Sequence, residues 1–194
     1  MVSEFNGIYR LCLLLFSCLF QQTRRCLFLR IGLGVTDRDL FMREALALAE
    51  TARQLDEVPV GAIIVQGSLR MGQGYNQNIS QNDPTAHAEI VALRDACLYA
   101  DNYRLPGTTL YVSLEPCLMC FMALVQARVS HIVFGARDPK GGFTTFFNDV
   151  AYEKLNHRPE VTGGILAEDC SALVSGFFQE KRVRGKRKWM RETT

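Results

Sequence analysis

The chain has 194 residues, 48% of them hydrophobic and 22% charged, with a formal net charge of +2. That balance suits one globular domain with a sizeable core and excludes general disorder. Seven cysteines, an odd number, argue against a disulfide framework and for a reducing compartment, the cytoplasm.

The charge is unevenly spread. From Lys181 to Thr194 there are seven Lys or Arg against one Glu, and residues 1–35 hold four against one, so the body is acidic and the tail, residues 183–194, is basic. Leu11–Phe20 is an apolar run of ten residues, whereas a membrane-spanning helix takes about twenty. Its length leaves a signal peptide open, against which stand Glu4, the missing small-x-small cleavage site and the polar, basic Gln21–Arg25 that follows. Residues 1–35 are therefore expected to be a disordered extension, or to lie outside a natural product whose translation starts near Val35, and no membrane association is expected.

From Leu40 to Leu55 the apolar Phe41, Ala45, Leu48, Ala49, Ala52 and Leu55 share one helical face. Val58–Val65 reads as a buried strand, Gly67-Ser68 as the centre of a two-residue hairpin turn, and Arg70–Asn76 as an antiparallel return strand. Asp83 or Thr85, with Pro84, signals the start of a helix running to about Ala100. Thr108–Leu114 is a strand, Pro116 opens a helix to about Ala127 that is almost without charge, and Val129–Phe134 is a strand. A strand, helix and strand joined this tightly imply a parallel crossover. A loop over 136–147, a short helix over Asp149–Leu155, a fifth strand over Val161–Leu166 and a helix over Glu168–Arg182 complete the chain, with the basic Lys181–Lys188 extending that helix or fraying from it.

Two strings carry chemistry: His87-Ala88-Glu89 and Pro116-Cys117-Leu118-Met119-Cys120. Alone, His-x-Glu is most often a surface or capping pair, and Cys-x-x-Cys serves redox chemistry or packing as readily as metal. Together, each at an expected helix start, they offer an imidazole, two thiols and a free carboxylate. That is the donor set of a catalytic zinc, which takes three protein ligands and brings the pKa of a bound water to about 7. Cys117 and Cys120 share a helix face, at the dipole end that favours thiolate. His87 and Glu89 lie about 200° apart on a helix, so both can serve one ion only if it sits off the helix end. Cys97 is about 15 Å along the same helix and cannot close the site. Spacing leaves His131, His157 and Cys170 open as fourth ligands, although a strand-edge histidine, a loop histidine and a buried thiol are their commoner roles.

These strings, together with Val58-Pro59-Val60-Gly61-Ala62, Gly74-Tyr75-Asn76, Asp83-Pro84-Thr85-Ala86, Leu114-Glu115, Phe134-Gly135-Ala136-Arg137-Asp138, Asn156-His157-Arg158 and Gly164-Ile165-Leu166, resemble the bacterial tRNA-specific adenosine deaminases of the zinc-dependent cytidine deaminase-like superfamily. The resemblance spans about Thr36 to Arg182. It implies an α/β three-layer α-β-α sandwich around a mixed sheet of about five strands, with residues 36–182 as the deaminase domain. It further implies a homodimer that converts the wobble adenosine of a tRNA anticodon, typically in an arginine tRNA, to inosine. One Zn²⁺ per subunit would be held by His87, Cys117 and Cys120, with Glu89 as proton shuttle. Asn76 and Ala88 would meet the target base, Asp138 the anticodon nucleotides, and Phe177, Phe178, Lys181 and Arg182 the RNA beyond. Residues 1–35 have no counterpart in the family.

The residues alone reach RNA only in part. A basic tail suits phosphate contacts, yet basic C-termini are commonly just solvated. Phe177 and Phe178 are adjacent on a helix, so both cannot face the core and one can stack on a splayed base. Asn76 and Asp138 are also ordinary turn residues. A same-fold deaminase of a free base or nucleotide, such as guanine or deoxycytidylate, would share the zinc strings. A non-catalytic zinc-stabilised RNA-binding module would need a closed four-ligand site, and a redox protein would form a reversible Cys117–Cys120 disulfide.

Overall fold

The computed structural model describes residues 36–147 and 149–192; the expectations for residues 1–35 lie outside them. The first helix, α1, spans Asp37–Gln54 and starts earlier than its apolar stripe suggests, because Thr36 and Asp39 form a reciprocal capping box. It leads into the hairpin β1 (Gly61–Gln66) and β2 (Leu69–Tyr75), which turns through Gly67 at φ 59° as expected. Then follow α2 (Ala88–Ala100), β3 (Thr109–Leu114), α3 (Leu118–Gln126) and β4 (His131–Ala136). Two short helices, α4 (Phe143–Phe146) and α5 (Asp149–Glu153), precede β5 (Glu160–Gly163) and α6 (Ala167–Glu192).

The strands form one mixed sheet in the order β2-β1-β3-β4-β5. β1 is antiparallel to both β2 and β3, while β4 is parallel to β3 and β5, so the expected β3-α3-β4 crossover is present. Alternation along the strands divides the core between two faces. Ile63, Val65, Tyr111 and Val133 face one side with Met42 and Ala45 of α1 and Cys170 of α6. Ala62, Ile64, Leu110, Val112, Ile132 and Phe134 face the other with α2 and α3. The result is the three-layer α-β-α arrangement.

Helix α2 approaches β2 with no side chain between the backbones. A methyl on Gly74 would lie 2.5 Å from the Ala88 oxygen and 2.5 Å from the Ala92 nitrogen, and Gly72 meets Ala92 and Ala96 in the same way. Ala88, Ala92 and Ala96 are fully buried against this strand. Small residues on both partners therefore fix where α2 begins, which fixes the candidate site. β5 is shorter than expected because the chain turns at Gly164 (φ 92°) and Leu166 (φ 51°) to enter α6. Helix α6 continues unbroken through the basic stretch after Lys181.

Candidate metal centre

Helices α2 and α3 both begin later than their sequence signals suggest: α2 at Ala88, with His87 rather than Asp83 or Thr85 as N-cap, and α3 at Leu118, two residues after Pro116, with Cys117 as N-cap. Asp83 instead caps a local turn, accepting from the Thr85 N–H at 2.8 Å and hydroxyl at 2.7 Å. Both helix caps have extended backbone and neither side chain makes a capping hydrogen bond. An N-cap side chain normally does so; here the imidazole and thiol are turned toward each other. His87 Nδ1 lies 3.7 Å from Cys117 Sγ and 3.5 Å from Cys120 Sγ.

The three ligand atoms lie within 4.8 Å of one another. A tetrahedral zinc with Zn–S near 2.3 Å and Zn–N near 2.0–2.1 Å separates its nitrogen and sulfur ligands by about 3.6 Å, so the spacing suits the ion. The donors suit it as well. Cys117 is held down to about 4, first by the hydrogen bond from Cys120 and then by His87. Cys120 is pushed upward by donating that bond and by burial. His87 is raised, chiefly by its bond to Cys117. The cradle thus favours a thiolate at Cys117 beside the imidazole.

No fourth side chain joins this cluster among the described residues. His131 pairs with Glu160 at 2.9 Å on the strand edge, His157 Nε2 lies 2.6 Å from the Val129 carbonyl oxygen, and Cys170 is buried on the opposite face of the sheet. Each takes its commoner role.

Glu89, the second residue of α2, is 4% exposed, and burial raises its carboxyl to about 7. It lines a cleft of about 330 Å³ together with His87, Cys117, Asn76, Glu115 and Asp138. Asn76 follows β2, and its Oδ1 accepts the Ala88 N–H at 2.9 Å, leaving its Nδ2–H groups as the donors it can offer to the cleft. Ala88 is fully buried. Its N–H is committed to Asn76, so within the described contacts it serves the site by tying Asn76 to the helix start.

The adjacent groove shares Val58, Leu114 and Asp138 with this cleft and runs on to Phe178 of α6. Phe177 is 4% exposed and Phe178 44%, so the adjacent pair divides as helical geometry requires. Lys181 is not free: its ammonium lies 2.5 Å from Asp56 and 5.1 Å from the centre of the Phe177 ring. Arg184 also pairs with Asp56, at 3.2 Å, while Arg182 is exposed.

Sequence reasoning gave no role to two buried carboxylates. Glu57 accepts the N–H groups of Ile79 and Ser80, at 2.9 and 2.8 Å, and Glu115 holds the loop after β4. Their signal was an acidic residue set directly against an apolar strand end and a proline, in Glu57-Val58-Pro59 and Leu114-Glu115-Pro116.

Two helix starts that converge on a sulfur- and nitrogen-lined cradle at one edge of a mixed sheet, with a buried carboxylate beside it, define a zinc-dependent hydrolytic deaminase. The chain belongs to the cytidine and deoxycytidylate deaminase zinc-binding family, which it matches over residues 35–136. The tRNA-specific adenosine deaminase of Haemophilus influenzae is 49% identical over 150 residues, covering 75% of this chain and 85% of that protein. A structure from studies of A-to-I editing by tRNA:A34 deaminases at the wobble position of transfer RNA superposes with TM-score 0.64 at 39% identity, covering 69% of this chain and 98% of that one. A guanine deaminase from Bacillus subtilis gives TM-score 0.52 at 32% identity, covering 62% of this chain and 78% of that one.

Proposed function

We propose that this chain deaminates the wobble adenosine of a tRNA anticodon to inosine, with an arginine tRNA as substrate, in the cytoplasm and as a homodimer. The observation that carries the reading is the 49% identity to a tRNA-specific adenosine deaminase over three quarters of the chain. The groove leading past Asp138 to an exposed Phe178 supports it, since an extended single-stranded substrate needs a path beyond the cleft and an aromatic ring to stack on.

His87, Cys117 and Cys120 would hold the zinc, which when bound supplies the Lewis acidity that makes hydroxide available at neutral pH. Glu89 takes a proton from water and delivers it to a ring nitrogen of adenine as oxygen adds at C6, then carries the remaining proton of that C6 hydroxyl to the amino group, which leaves as ammonia as the C6–N bond breaks. A carboxyl held near 7 by burial suits both directions of transfer. Asn76 holds the base through Nδ2–H, and an anticodon loop presents that base already unpaired, which lowers the cost of extruding it. Asp138 and Phe178 meet the neighbouring nucleotides, and Arg182 the phosphates. Phosphate also draws Lys181 away from Asp56. Leu118 and Met119, each 39% exposed on the first turn of α3, are apolar residues that a second copy would cover. No helix among the described residues is long and apolar enough to cross a membrane.

The test is to incubate zinc-loaded protein with an anticodon stem-loop, free adenosine, free guanine and free cytidine. Inosine in the stem-loop alone is expected. Turnover of a free base or nucleoside with an untouched stem-loop would overturn the reading in favour of a free-base deaminase.

A further inference from the structure

Between the last residue of β3 and Pro116 stands Glu115, which is 3% exposed. Burying a carboxylate is costly unless its oxygens are paired and hydrogen-bonded, and the partners of this one come from a single segment, residues 137–144, the loop after β4 and the start of α4. Oε2 accepts the Asp138 N–H at 3.1 Å. Oε1 accepts the Thr144 N–H at 3.1 Å and the Thr144 hydroxyl at 2.5 Å. The Arg137 guanidinium lies 3.7 Å away. The loop is shaped to admit the carboxylate, because any side chain at Gly142 would overlap it. The same loop returns to the cradle, where Phe143 donates its N–H to the Pro116 oxygen at 2.9 Å and Gly142 bridges to Cys117.

The geometry points to Glu115 as a positioning residue for RNA: it fastens the loop bearing Asp138 to the Pro116–Cys117 segment, so that the nucleotide contact and the metal cradle keep one fixed spacing. The inference rests on the reading above in which Asp138 meets the RNA. Phe143 secures the far end of the segment by stacking on Phe121 at 4.1 Å between ring centres, and within the segment Gly142 donates its N–H to the Asp138 oxygen at 3.0 Å and Arg137 donates to the Thr144 hydroxyl oxygen at 2.7 Å. The Asp138 end has no strand partner. Its own carboxylate turns inward to the Lys140 N–H at 3.0 Å, and its N–H is held by Glu115. Releasing Glu115 should loosen residues 137–141 relative to the cradle, while Gly142, bridged to Cys117, and the aromatic anchor stay in place.

The experiment measures zinc content, kcat and KM on an anticodon stem-loop for Glu115→Gln, Asp138→Ala and the double variant. Glu115→Gln keeps the side-chain shape but turns an NH₂ toward loop donors. It should retain zinc and kcat while KM rises about tenfold, the equivalent of one lost charge-assisted hydrogen bond. In the double variant KM should be no higher than for Asp138→Ala alone, because two residues acting through one contact are not additive. Thr144→Val should raise KM in the same direction by less, and it carries the test should Glu115→Gln fail to fold. An unchanged KM in Glu115→Gln, a multiplicative double variant, or loss of zinc and kcat at constant KM would overturn the positioning role. An unchanged KM for Asp138→Ala alone would instead overturn the reading of Asp138, so the two failures are distinguishable.

Discussion

Asn76 has two jobs that substitution can separate. Its Oδ1 accepts the N–H of Ala88, a fully buried residue at the first position of α2, and under the proposed function its amide N–H groups hold the base. Asn76→Ala removes the acceptor and strands a buried donor, at a cost of about 1–3 kcal/mol. For a chain of this size each kcal/mol moves the melting temperature by about 2–4 °C. The Ala variant should therefore melt about 2–12 °C lower, and kcat/KM should fall as well. Asn76→Asp keeps an acceptor of the same shape at a helix start, where negative charge is favoured, but it has no N–H to donate. Its carboxyl shares the cleft with Glu89, so it should melt below the wild type but above the Ala variant, while kcat/KM on the stem-loop falls at least two- to tenfold, about the worth of one neutral hydrogen bond. The assay is differential scanning calorimetry alongside initial-rate kinetics on zinc-loaded protein. An Asp variant as unstable as the Ala variant, or one with full kcat/KM, would refute this division of labour.

Glu89→Ala should keep its zinc and lose about 10²–10⁴ in turnover, measured by inosine formation and metal analysis on the same sample; full activity would remove its assigned role. Cys117→Ser should lose the metal itself. In chelator-treated wild-type protein, Cys117, held down to about 4, should be alkylated by iodoacetamide at pH 6. Cys97 and Cys170, both raised by burial, should stay unmodified, and restoring zinc should protect Cys117; peptide mass mapping reads all three sites. The pKa of Asp39 is lowered below 3.8, first by its backbone bond from Thr36. The stabilisation this provides is complete above that unfolded-state value and is lost as pH falls through the lower folded-state one. Asp39→Asn should therefore melt lower than wild type at pH 7, with the gap closing in strong acid.

The cradle was legible in the sequence because its chemistry resides in residue types and short spacings: one His-x-Glu and one Cys-x-x-Cys, each near a helix start. What spacing misplaced were the starts themselves. Capping rules assign Asp83, Thr85 and Pro116 to helix ends, whereas His87 and Cys117 occupy the N-caps without a capping bond, their side chains turned toward each other instead. In the reverse direction, Thr36 and Asp39 form a capping box that an apolar stripe cannot reveal. Partners remote in sequence were invisible. Lys181 reads as a free cation until Asp56, 125 residues away, is brought beside it. The burial of Glu57 and Glu115 depends on loops whose N–H groups converge only in three dimensions.

The central claim is that one zinc ion, held by His87, Cys117 and Cys120, makes this chain a deaminase of adenosine in RNA. Its most direct test is to strip the metal, add zinc back in steps and follow inosine formation in an anticodon stem-loop. The account predicts no inosine without zinc and activity that rises in proportion and saturates at one ion per chain. Undiminished activity in the stripped protein, or full zinc loading with no inosine formed, would contradict it.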